Sequence, residues 1–247
     1  MEVVRDEQPE WLTNSYLVYD GAGGTGLLID ANGRTGSLLE QARSEGVTVE
    51  HLLLTHEHWD HAVDARALAE GEGLTVHAHP GAAAALDFET TPIGDGDELG
   101  IGEMTVRAIH TPGHSDSHLA FLIDGTDLFS GDVLFAGTVG GTMLPGETGF
   151  AELKGSVMDG FMDLPPETRV HPGHAAPTTI GEEWESNPFV ALWRGTADEG
   201  TEPCEVEEMG EATLVLWAPD YDGTNKAWVR FPDGSEGIIG GSRIKRD

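Results

Sequence analysis

Two hydrophobic periods alternate along this chain, and each change of period marks an element. Short β-rich runs open it at residues 3–4, 14–19 and 26–30, with a glycine-rich turn before the third. Residues 34–45 then predict a helix stopped by Gly46, and 49–55 a strand. From 60 to about 70 the pattern is helical, with Ala65, Leu68 and Ala69 at i, i+3 and i+4. A strand at 74–79, a small helix at 81–86 and a turn-rich stretch at 94–102 follow. Three strand-like runs come next, at 104–110, 119–124 and 127–130. Residues 152–164 form an amphipathic helix whose stripe of Val157, Phe161 and Leu164, flanked by Met158 and Met162, belongs to the core. A brief strand at 169–171 and a helix at 180–186 complete the pattern. The order predicts sheets packed between helices, an α+β class, without an internal repeat.

The tail reads differently. Residues 195–203 are rich in Gly, Glu and Thr, as a linker would be. Strand-like runs at 213–217, 226–231 and 237–239 follow, with a turn at Pro232-Asp233-Gly234. The expected division is therefore a main domain at 1–195 and a small all-β module at 203–247, an SH3-like barrel or a hairpin extension. So short a module has a marginal core of its own. It is expected to pack on the main domain or on a second copy, giving a homo-oligomer.

Composition narrows the class. With 247 residues and 38% hydrophobic content, the chain can bury a sizeable core. Its single cysteine, Cys204, rules out a disulfide framework or cysteine metal cluster within one chain. The charged N-terminus lacks a signal-like apolar run, and no stretch approaches the roughly 18 apolar residues of a spanning helix, so a cytoplasmic protein is expected. The net charge of -31 repels nucleic acid and anionic membranes, and neither is expected as a partner. Such a surface suits either a high-salt host or an ordinary acidic protein; stability measured against salt separates the two.

The candidate chemistry lies in Thr55-His56-Glu57-His58-Trp59-Asp60-His61, which follows the apolar run Leu52-Leu53-Leu54. Three imidazoles and a carboxylate at a strand end can converge on one point, and together they suit zinc, iron or manganese. One loop rarely collects four such groups by chance. Three more segments end strands at or beside a glycine: Thr111-Pro112-Gly113-His114, Ser130-Gly131-Asp132 and His171-Pro172-Gly173-His174. Glycine lets the backbone approach a crowded centre.

Taken together, His-x-His-x-Asp-His, the Pro-Gly-His turn, Gly-Asp and the final His resemble the metallo-β-lactamase superfamily over about residues 3–190. The resemblance implies a four-layer αβ/βα sandwich with the site at one edge. It implies two divalent metal ions, zinc above all, with iron or manganese as alternatives. His56, His58 and His114 would hold one, and Asp60, His61 and His174 the other. Asp132 would bridge them, and Asp60 and Asp132 would be the catalytic carboxylates.

The run from Pro172-Gly173-His174 to Asn187-Pro188-Phe189, and Gly131-Asp132-Val133-Leu134-Phe135, are similar to type II glyoxalases, which hydrolyse S-acyl thiols such as hydroxyacylglutathione. The implied activity is thioester hydrolysis by a metal-activated water. Two departures touch the thiol carrier. The basic residues many such proteins have near Ala136 and Gly141 are missing, and the tail is unlike their helical C-terminal domain. One alternative is a mononuclear iron persulfide dioxygenase, holding iron through one loop histidine, His114 and Asp132. Another is an interaction role for the tail, whose Lys226, Arg230, Arg243, Lys245 and Arg246 make it the least acidic part.

Of the other polar residues, His110 and His118 are structural or orient ligands, and His51, His77, His79 and His171 are structural or exposed. Trp59 either walls the site or packs. Glu57 is expected to be a solvated spacer. Ser115, Asp116 and Ser117 could hydrogen-bond near the site.

Overall fold

Every residue of the strand Asn14–Tyr19 is buried, because apolar layers cover both of its faces. Tyr16 and Val18 point to one layer, Leu17 and Tyr19 to the other. This is the period of two expected of a strand, with both sides in the core.

The chain is described by a computed structural model at residues 1–143 and 149–246. It divides into two units. The first holds Met1–His110, Ser117–Gly131 and His171–Ala175; the second holds Thr111–Asp116, Asp132–Val170 and Ala176–Asp247.

In the first unit, one sheet keeps chain order: Glu2–Glu7, Asn14–Tyr19, Thr25–Ile29, Thr48–Leu53, Thr75–Ala78 and Thr91–Pro92. The first two pairings are antiparallel and the next three parallel. Its second sheet contains Asp127–Gly131, Leu119–Ile123, Met104–His110 and Glu98–Ile101 as antiparallel neighbours. Leu27, Ile29 and Leu53 of the first sheet pack with Val106, Phe121 and Phe129 of the second. On the first sheet's other face, Leu17, Leu28 and Leu52 meet Leu38, Leu39 and Ala42 of the helix Thr35–Glu45, and Leu68 of Ala65–Gly71. The helix ends as predicted: Gly46 takes φ +69, a left-handed cap that glycine adopts without strain.

The parallel register sets up the site. Ile29 pairs with Leu53 in neighbouring parallel strands, so both strands deliver their C-terminal ends to the same edge. Asp30 follows the first, and Leu54-Thr55-His56 follows the second.

The second unit contains a two-stranded hairpin, Leu134–Phe135 with Thr138–Val139, and a helix Phe150–Gly155 that continues as the π-helical Ser156–Phe161. Two short helices follow, Ile180–Ser186 and Pro188–Trp193, capped by the side chains of Thr179 and Asn187. The tail is a five-stranded antiparallel sheet in the order Glu236–Gly240, Asn225–Arg230, Gly210–Pro219, Glu202–Val206, Ile244–Lys245. Its core contains Val206, Leu214, Val229 and Ile239.

Several elements differ from expectation. The helix predicted over 60–70 is two pieces, Trp59–Ala62 and Ala65–Gly71. The His61 carbonyl accepts from the Ala31 N–H at 2.7 Å, in a parallel bridge, so a tertiary contact takes over a helical hydrogen bond. The helix predicted over 152–164 widens to π geometry after Gly155, with Met162 N–H donating to Val157 C=O at 2.9 Å. Val157 and Phe161 are fully buried, as the stripe required, but Leu164, Met158 and Met162 are only half-buried. The turn-rich stretch contains the strand Glu98–Ile101, and the start of Glu202–Val206 falls inside the expected linker.

Two histidines set part of the acid response. His51 Nδ1 and His77 Nε2 are 3.0 Å apart, and burial, with His51 adding to it, pushes His77 down to about 4. The unfolded chain therefore binds a proton near pH 6.5 that the folded chain refuses until about 4. The resulting stability is present above the upper value and lost as pH falls through this window. His77→Leu should show a shallower loss of melting temperature from pH 7 to 4.5 than the wild type. Parallel curves would contradict this assignment.

Candidate metal centre

The first unit brings five of the expected ligands together. Asp60, His61 and His174 each offer a ligand atom within 4.8 Å of the others, and the pairs His56–His58 and His56–His61 meet the same limit. The His56 ring is 4.5 Å from that of His58 and 4.3 Å from that of His61. In the second unit His114 Nε2 stands 3.5 Å from Asp132 Oδ2, both residues being buried.

The tautomers follow from the partners. Thr55 Oγ1 donates its single proton to Asp30, at 2.8 Å from Oδ2, so its contact with His56 Nδ1 at 3.0 Å must be an acceptance. His61 Nδ1 donates to Asp30 Oδ2 at 2.8 Å, His174 Nδ1 to Leu12 C=O at 3.0 Å, and His114 Nδ1 to Gly141 C=O at 3.2 Å. A carboxylate or carbonyl can only accept, so each Nδ1 carries the proton and each Nε2 keeps its lone pair. Metal-ligating histidines are held in the same way.

The distances fit the same chemistry. Asp60 Oδ2 lies 3.6 Å from His61 Nε2 and 3.5 Å from His174 Nε2. Metal–ligand bonds of about 2.0–2.2 Å in a tetrahedron place neighbouring donors roughly 3.3–3.6 Å apart. The donor set therefore fits a divalent ion.

The sequence reading missed two residues that orient this set. Asp30 is buried at φ +57, a left-handed conformation aspartate tolerates better than most residues. It accepts from Thr55 N–H at 2.8 Å, from Thr55 Oγ1 and from His61, and so fixes two loop residues at once. Thr13 donates to Asp60 Oδ2 at 2.6 Å. Asp30 has a sequence signature, an acid directly after an apolar strand; Thr13 has none. Removing the carboxylate in Asp30→Ala should weaken zinc binding about 10- to 100-fold in a chelator competition. Unchanged affinity would show that His61 orients itself.

The His174 turn is tied to the first sheet. Asn14 Nδ2 donates to Pro172 C=O at 2.9 Å and to Ala175 C=O at 2.8 Å, and Tyr16 OH donates to Pro172 C=O at 2.7 Å.

Other expectations resolve locally. His171 Nε2 bonds buried Asp127 at 2.9 Å and stacks on Phe129, a structural role. His118 is fully buried, with its ring 5.0 Å from that of His56. Glu57 is not a simple solvated spacer, since Ser117 Oγ donates to it. Trp59 packs edge-on against Trp11 at 4.4 Å but stays 60% exposed.

A family model confirms what these residues resemble: the metallo-beta-lactamase superfamily matches residues 9–174. The chain belongs to that superfamily. The superfamily's mixed α+β fold recurs in solved structures. ETHE1 from Myxococcus xanthus superposes with a TM-score of 0.70 at 30% identity, covering 78% of this chain and 85% of that one. TTHA1623 in a di-iron-bound form gives 0.65 at 36%, covering 75% and 99%. Among sequence relatives, a hydroxyacylglutathione hydrolase-like protein of Gallus gallus is 34% identical over 170 residues, 64% of this chain and 56% of that one. The superfamily assignment and the histidine–aspartate set make this a metal-dependent, hydrolase-type fold. Among the described residues no helix is long and apolar enough to cross a membrane.

Proposed function

We propose that this chain is a binuclear, metal-dependent thioester hydrolase of type II glyoxalase kind. His56, His58 and His114 would hold one ion, Asp60, His61 and His174 the other, and Asp132 would serve both. The observation that supports it most is the set of four imidazoles presenting Nε2 while Nδ1 is fixed. The likeness to a hydroxyacylglutathione hydrolase-like protein, and to TTHA1623 with its two irons, points the same way. Bound divalent ions lower the pKa of water to about 7 and polarise a carbonyl oxygen.

The chain's own residues hold and aim. Thr13 keeps Asp60 in one rotamer, so its Oδ2 stays between His61 and His174. Asp30 does the same for His61. The leaving thiolate has a solution pKa of about 8.5 and needs no dedicated acid. Zinc is the expected metal and the cytoplasm the expected compartment. No nucleic-acid or membrane partner is proposed, and self-association through the tail belongs to the same reading.

A second reading, a mononuclear iron persulfide dioxygenase, is favoured by the likeness to ETHE1. One screen separates them. The purified protein should hydrolyse S-lactoylglutathione, lose at least about 100-fold of that rate on chelation and regain it with zinc. Oxygen uptake with a thiol persulfide, on one iron per chain, would instead establish the dioxygenase.

A further inference from the structure

Within the second unit, residues 139–142 run from the end of the hairpin to the edge of the tail sheet. One side of this run lies against two of the expected metal ligands. Gly141 C=O accepts from His114 Nδ1 at 3.2 Å, and Gly140 N–H donates to Val133 C=O at 3.3 Å. A Cβ on Gly140 would stand 1.9 Å from the Asp132 carbonyl oxygen and 3.4 Å from His114 Cβ, so only a glycine backbone passes there.

The other side of the run is held by the tail. Glu236–Gly240 is the outer strand of the tail sheet, and an outer strand has peptide groups left to pair. Ile238 uses both of its own on Thr142. The Thr142 N–H donates to Ile238 C=O at 2.9 Å, and the Ile238 N–H donates to Thr142 Oγ1 at 2.9 Å. Lys226 Nζ donates to Val139 C=O at 3.0 Å and pairs with Asp220 at 3.1 Å. Thr142, Ile238 and Lys226 are all buried, in a low-dielectric setting that strengthens these bonds. They bracket Gly140 and Gly141, whose backbones have little stiffness of their own. The conformation of the two glycines is therefore set by the fixed residues at either end.

We propose that the tail sheet is a positioning clamp for the metal centre: by holding Val139 and Thr142 it places the Gly141 carbonyl, and that carbonyl fixes the tautomer and direction of His114. A histidine whose Nδ1–H is held by an acceptor presents Nε2 along one line, which is how ligand histidines are oriented. Thr142 and Lys226 are positioning residues in this scheme. The inference rests on His114 being a metal ligand, as in the reading above, but on no particular substrate.

The test uses full-length protein. Thr142→Val keeps the side-chain shape and removes the acceptor for Ile238 N–H, while Thr142→Ser retains it. Lys226→Met, combined with Asp220→Asn so that no buried carboxylate is left alone, removes the donor to Val139. Val206→Ala, in the tail core on another strand, is the control for lost stability alone. NMR of the imidazole nitrogens in metal-free protein, at alkaline pH where the rings are neutral, reads the tautomer directly, with His114→Gln assigning the signal. Wild type, Thr142→Ser and Val206→Ala should carry the His114 proton on Nδ1. Thr142→Val and the Lys226 double variant should show a mixture of both tautomers. In a zinc competition against a chelator, those two variants should bind one ion about 5- to 10-fold more weakly and the other within about twofold, a smaller loss than the roughly 10- to 100-fold of deleting a direct partner. A tautomer unchanged in both variants, or changed equally by Val206→Ala, overturns the clamp. A changed tautomer with both ions bound as in wild type leaves the clamp standing and removes His114 from the ligand set.

Discussion

Asp132→Ala is expected to remove metal and turnover together, with kcat/KM falling at least about 10³-fold and metal content falling to one ion per chain or fewer. Asp132 is 6% exposed and its Oδ2 is 3.5 Å from His114 Nε2. A carboxylate buried so near an imidazole is stable when a cation lies between them, and in the proposed centre it serves both ions. Its loss leaves positive charge uncompensated in a buried place, which disfavours binding the second ion. Asp132→Asn keeps the size but not the charge and should show most of the same loss. Metal analysis and steady-state kinetics on the same samples check this. A variant with two ions and undiminished turnover would remove Asp132 from the mechanism.

Gly131→Ala should be the most damaging single methyl in the site. Gly131 has φ +48, where an L-residue is strained by roughly 1–2 kcal/mol. The added Cβ would lie 2.4 Å from His118 Nε2 and 2.9 Å from Thr55 Cβ. Both neighbours are buried, and such overpacking costs about 1–3 kcal/mol more. The combined loss of about 2–5 kcal/mol corresponds to roughly 4–20 °C in melting temperature for a chain of this size. Activity should fall as well, since Gly131 fixes the backbone entering Asp132 and accepts from Gly173 N–H at 2.8 Å beside His174. Thermal denaturation measures the first effect. A melting temperature within 2 °C of wild type would show that His118 and Thr55 can move aside.

Much of the centre was legible because its ligand types are scarce and most are clustered. His56, His58, Asp60 and His61 announce themselves in one loop, and His114, Asp132 and His174 each follow a strand and a glycine. The strands of the first unit were legible too. Asn14–Tyr19 and Leu119–Ile123 are buried throughout, so their sequences read as unbroken β-rich runs. What escaped notice depends on groups without a sequence pattern. Leu12 and Gly141 orient His174 and His114 through backbone carbonyls, which every residue possesses. Asp30 did have a signal, an acid directly after an apolar strand, but its partner Thr55 emerges only when Ile29 and Leu53 are paired. The break after Ala62 arises from Ala31, thirty residues away in the chain, and helical periodicity carries no trace of it. The helix Pro188–Trp193 did have a signal, Asn187 as cap with proline at the first position, and it was readable.

The most direct measurement is a titration of metal-stripped protein with zinc(II), following S-lactoylglutathione hydrolysis at each addition. Two ions sharing Asp132 predict that activity rises to its plateau at two equivalents per chain, with little at one. A plateau reached at one equivalent, or hydrolysis undiminished with no metal present, would contradict the binuclear centre on which the account stands.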